Sequence, residues 1–248
     1  MRVRHLIVFV LGLTVGTSAF GQQWKQSRFE LLGGVSICQM FGDVGGSASD
    51  PGSTLMGLKD ITFSAMRPGI NLGTRYDAFP KVSVKGVISS YVMTASDDGS
   101  RNENRGLKAT AFVTDFAVTG EFYIKRGSDN RVFSVMSVRG GVRPYGNPYS
   151  IYAYAGVGGA YYNSSGNDML KASPRYVGGS GMTAIIPIGV GVKVNLMPRV
   201  AFNGELGTRM TFTDNLDAYT SPFSKSNDIY YTLTLGVSYK LVVKKSYR

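Results

Sequence analysis

The feature that most constrains this chain is strict two-residue alternation, repeated along most of its length. In IYYTLTLGVSYKLV (229–242), Ile229, Tyr231, Leu233, Leu235, Val237, Tyr239 and Leu241 share one face. Tyr230, Thr232, Thr234, Gly236, Ser238 and Lys240 share the other. Successive strand side chains point to opposite faces, so the pattern specifies an extended strand with one apolar and one polar side. AIIPIGVGVKVNL (184–196) and VAFNGELGTRM (200–210) repeat it. Weaker versions lie at 28–37, 66–76, 81–93 and 108–124. In 150–162, SIYAYAGVGGAYY, both faces are small or aromatic and the orientation stays open.

These eight segments are long. Strands of soluble sandwiches run about 5–6 residues, whereas tilted membrane-crossing strands need about 9–11. The predicted fold class is therefore all-β, an eight-stranded antiparallel transmembrane β-barrel with long outer loops and mostly short periplasmic turns. The connections agree, with 77–81 and 196–199 short and 38–65, 94–107, 163–182 and 212–228 long and polar. The connection 125–149 breaks this rule. Its stretch RVFSVMSVR is expected to extend a strand or to form an extra one.

Arg75, Lys85, Asp115, Glu121, Lys193, Glu205, Arg209 and Lys240 all fall on the polar faces. The expected reading is an interior charge network that fills the barrel, since eight strands enclose too little space for an open pore. Outer-membrane lipid would then be the solvent of the other face.

Residues 1–21 read as a secretory signal peptide, with Arg2 and Arg4 before a short apolar run and small residues up to Gly21. Residues 22–248 form the barrel domain. Export to an outer membrane follows as the expected location. The chain has one histidine, His5, which leaves with the leader, so imidazole-based catalysis and histidine metal ligation are excluded. Cys38 is the lone cysteine and has no disulfide partner. No catalytic constellation, metal site or cofactor is assigned, and the chain is expected not to be an enzyme.

The net charge is +11, and beyond Arg2 and Arg4 nearly all of it falls on the short-turn side. Lys125, Arg126, Arg131, Arg139, Arg143, Lys244 and Lys245 are the candidate docking residues there. A basic surface in that compartment suits an acidic periplasmic protein; nucleic acid is not expected. In TDNLD, Asp214 and Asp217 begin the last long loop. Asp and Asn bond their own local backbone and favour turns, so both carboxylates are read as loop-structuring. A calcium site there would need 6–8 oxygens.

Three stretches resemble one family. GGVSICQMFGDVGG (33–46), YAYAGVGGAYYN (152–163) and IPIGVGVKVNLMPRVAFNGELGTRMTFTDNLDAY (186–219) are similar to motifs of the PorG-like outer-membrane barrels of Bacteroidota. The chain departs from that pattern in the long 125–149 connection and at Ala218, where an acidic residue is common. TLGVSYKL on the last strand resembles the terminal signal read by the barrel-insertion machinery. The resemblance implies a type IX secretion system component that anchors a periplasmic ring of PorK and PorN type. The alternative is a general structural or adhesion barrel that uses its surface loops.

Overall fold

The computed structural model describes residues 28–44, 65–98, 103–127, 132–133, 144–145, 147–197, 199–220 and 227–241. The signal peptide reading, and Arg131, Arg139, Arg143, Lys244 and Lys245, lie outside them. Among the described residues there are ten strands: β1 (Phe29–Phe41), β2 (Arg67–Phe79), β3 (Val82–Ser96), β4 (Lys108–Lys125), β5 (Val132–Phe133), β6 (Pro144–Tyr145), β7 (Tyr149–Gly166), β8 (Gly179–Asn195), β9 (Val200–Thr211) and β10 (Ile229–Leu241). Eight of them close into one antiparallel barrel in the order β1-β10-β9-β8-β7-β4-β3-β2. The first and last strands close it along an unbroken register from Phe29 opposite Leu241 to Phe41 opposite Ile229.

The barrel is apolar outside and polar inside. Val35, Ile70, Leu72, Val157, Leu206 and Val237 are among the large apolar side chains exposed on its outer wall. An uninterrupted ring of such side chains far exceeds the apolar patches that a soluble monomer leaves in water. A strand of 13 residues, such as β1 or β10, rises ~3.3 Å per residue, and a tilt of ~40° leaves roughly 30 Å along the barrel axis. This matches hydrocarbon, and the wall is that of a transmembrane barrel.

The ambiguous fifth segment is resolved by glycine. Tyr152, Tyr154 and Tyr162 of β7 point inward, and each sits opposite a glycine of β8, namely Gly191, Gly189 and Gly181. A Cβ on any of these three glycines would run into the facing tyrosine ring or hydroxyl. Tyr91 of β3 lies in the same way over Gly69 of β2. The bare backbone makes room for a ring that crosses to it, so glycines that weaken a strand by propensity are repaid by aromatic packing.

One feature differs from expectation. The β7–β8 hairpin runs beyond its apolar stretch to Gly166 and from Gly179. Above the hydrocarbon the outward face no longer needs to be apolar, so pairing continues where alternation stops. In the long connection the extra-strand alternative holds: Val132–Phe133 and Pro144–Tyr145 pair with each other as a two-stranded sheet separate from the barrel sheet.

Candidate functional site

The lumen holds two charged layers. The one nearer the short turns is centred on Arg75, which is fully buried. Its guanidinium meets Glu30 at 3.1 Å, Glu121 at 2.7 Å and Glu205 at 3.6 Å. Lys85 bridges Glu205 at 2.7 Å and Glu121 at 3.4 Å. Glu30 also receives Lys193 at 2.5 Å and Lys240 at 3.8 Å. Tyr152 donates its hydroxyl to Glu205 at 2.7 Å and lies beneath the Arg75 guanidinium. Charges taken from water are tolerated when each has an opposite partner and further hydrogen bonds, and this layer supplies both.

The second layer is a single pair. Arg209 meets Asp115 at 2.8 Å and donates to Thr232 at 2.6 Å. Tyr91 and Tyr230 flank its guanidinium, and the Tyr230 hydroxyl donates to Asp115 at 2.9 Å. A small cavity of about 50 Å³ separates the layers, beside the facing glycines Gly34 and Gly236. All eight charged residues read onto the polar faces therefore stand inside the barrel, joined by Glu30.

Beyond the second layer the lumen turns apolar. Met40, Met93, Ala111 and Val113 line it. The long loops close it from above with Val44, Leu107, Leu170, Leu216 and Ala218, all buried. A short helix, α1 (Asp168–Lys171), is capped by Asn167 and carries Leu170 into this plug. Arg105 ties the cap together. It pairs with Asp97 at 3.0 Å, donates to the Asp43 carbonyl at 3.0 Å and covers the Tyr219 ring.

Asp214 and Asp217 differ in role. Asp214, partly exposed, accepts from the Thr220 hydroxyl at 3.2 Å. Asp217 is fully buried and binds backbone amides of two loops. It accepts from Tyr219 within its own loop at 3.0 Å and from Val44 of the first loop, also at 3.0 Å. Asp228 was not singled out by sequence. It is buried just before β10 and accepts from the Leu216 amide at 2.8 Å. Only its position as an acid directly before an alternating run could have marked it. Ala218 stands at φ 58°, a left-handed conformation that Asn and Asp adopt more readily than alanine. Among the described residues no cluster of three or more His, Cys, Asp or Glu side chains could hold a metal ion.

At the short-turn end, the candidate docking residues divide. Lys125 is exposed at the end of β4 and rests over the Tyr149 ring, while Lys81 and Arg199, outside that candidate set, are exposed on the two short turns. Arg126 is instead committed to the barrel. Its guanidinium pairs with Asp77, donates to the Phe79 and Pro80 carbonyls, and covers the Tyr123 ring.

Residues 94–239, more than half of the chain, match the family model described as Domain of unknown function (DUF6089). No curated protein matches. Among solved structures, the chain is similar to Ail, the attachment invasion locus protein of Yersinia pestis, at 13% identity and a TM-score of 0.45, covering 87% of this chain and 99% of that one. Neisserial surface protein A is similar at 11% identity and 0.46, over 86% and 97%. The outer membrane protein OprG of Pseudomonas aeruginosa is similar at 12% identity and 0.42, over 88% and 97%.

Proposed function

This chain belongs to the DUF6089 family, and from that premise we propose that it is a non-enzymatic outer-membrane barrel that anchors a periplasmic protein complex through its basic short-turn face. The observation that carries the proposal is the distribution of charge. Inside the barrel the ionic side chains are spent on one another. The exposed cations Lys81, Lys125 and Arg199 stand at the short-turn end and engage no carboxylate among the described ion pairs. The sequence places Arg131, Arg139, Arg143, Lys244 and Lys245 on the same side. Clustered charge of one sign steers an oppositely charged partner and fixes its orientation. The resemblance to PorG-like barrels supplies the identity of the complex, a type IX secretion ring of PorK and PorN type.

The test is charge reversal at Lys81, Lys125, Arg131, Arg139, Arg143, Arg199, Lys244 and Lys245, with Arg126 left intact because it holds the β2–β3 turn. The reversed protein is expected to reach the membrane folded, to lose its periplasmic partners on co-purification and to impair cargo secretion. Retention of both partner capture and secretion would sink the proposal. The packed outer cap favours a second reading, a structural or adhesion barrel presenting a rigid loop surface. A deletion strain with normal secretion but altered envelope integrity or surface binding would select it.

A further inference from the structure

The outer cap is clipped together by two carboxyl groups that also face each other. Asp217 comes from the last long loop and Asp228 from the foot of β10, and both carboxyls close on the same side of Gly42. A Cβ placed on Gly42 would lie 2.5 Å from Asp228 Oδ1 and 2.6 Å from Asp217 Oδ2. Asp217 Oδ2 is the atom that accepts the Val44 amide, while Asp228 Oδ1 is buried with no hydrogen-bond partner. The lining is apolar, with Val44, Leu216 and Ala218 all buried.

The charged groups around the pair do not neutralise it. Asp43 of the first loop adds like charge to Asp217, and Asp214 of the last loop adds it to Asp228. From the second loop, Arg105 is engaged by Asp97 and by the Asp43 carbonyl. From the third loop, Arg175 donates to the Tyr219 hydroxyl. Below the pair, Arg209 is held by Asp115 and flanked by Tyr91 and Tyr230. Two carboxylates buried side by side cannot both ionise cheaply.

We propose that the cap is a proton-dependent latch: a proton held on the Asp217–Asp228 pair keeps Gly42–Val44 seated against the last loop, and its release to solvent frees them. Burial pushes both carboxyls up from the ordinary carboxylate range. The Asp217 charge adds to the effect on Asp228, which is pushed up to about 9. A group whose value is raised in the closed state contributes stability at low pH and loses it as pH rises. The latch is therefore strongest in acid, weakens as pH rises above the ordinary carboxylate range, and has lost this contribution by about 9.

The experiment measures amide exchange at Val44 in the full chain in lipid discs, corrected for the intrinsic pH dependence of exchange. Protection is expected to fall as pH rises toward about 9, approaching tenfold per pH unit, the limit for release of one proton, and to level off above it. In Asp228→Asn the amide reproduces the protonated shape, so protection should stay high across the range. Asp214→Asn, outside the pair, should keep the wild-type fall. Protection at Val44 that stays constant with pH in the native chain overturns the proposal whether or not a variant folds. So does an Asp228→Asn protein that loses protection as the native one does.

Discussion

Glu30 shows at the scale of a single residue how this lumen is balanced. One carboxylate receives Arg75, Lys193 and Lys240. Glu30→Gln removes the charge and strands buried cations, which should cost about 3–5 kcal/mol, measured by denaturant unfolding from lipid vesicles. Lys240→Met should cost clearly less, because Lys193 and Arg75 still satisfy the carboxylate. Which charged residues point inward was legible from alternation alone, and the polar-face reading of Lys193 or Glu121 needed no coordinates. Their partners were not legible, because Lys193 and Glu30 are 163 positions apart and meet only across the closed lumen. Asp217 was readable as a turn residue, but its bond to the Val44 amide was not. The Ala218 departure from the resembled family pattern did mark a special place, the left-handed backbone at φ 58°.

Among the elements, β7 and β8 work as a matched pair. The tyrosines of one need the glycines of the other, so Gly191→Val should force Tyr152 from its position between Arg75 and Glu205. The expected cost is about 1–3 kcal/mol for overpacking, visible as loss of the heat-resistant folded band on gels. Val190→Leu, which changes only the outward face, should leave that band in place. This partnership explains why 150–162 could not be oriented from sequence. Periodicity reads hydrophobicity, whereas the decision here was made by ring size against bare backbone on the next strand. Strand ends were misjudged for a related reason. Alternation reports where lipid stops, while hydrogen-bonded pairing in β7 and β8 continues past it.

For the molecule as a whole, the two ends of the barrel are unlike. The outer end is closed by an apolar plug of Val44, Leu170, Leu216 and Ala218 over the Arg209 layer, and the lumen below is filled by paired charge. Purified protein in planar bilayers should therefore show no steady ion conductance at neutral pH; a stable open channel would contradict the packing. The short-turn end presents exposed cations instead. The closed eight-strand architecture was visible in the sequence, because it follows from local pattern and counting. The plug was not, since it depends on four separate loops meeting above one lumen.

The Arg75 layer has a consequence for how the barrel is made. Its members come from β1, β2, β3, β4, β8, β9 and β10, and several contacts span the lumen rather than neighbouring strands. No partial sheet can satisfy them. Until β1 meets β10, these side chains must remain hydrated, which lipid alone does not provide. Assembly is therefore expected to hold the open sheet in a wet, protein-lined setting and to commit it to the bilayer in a single closing step.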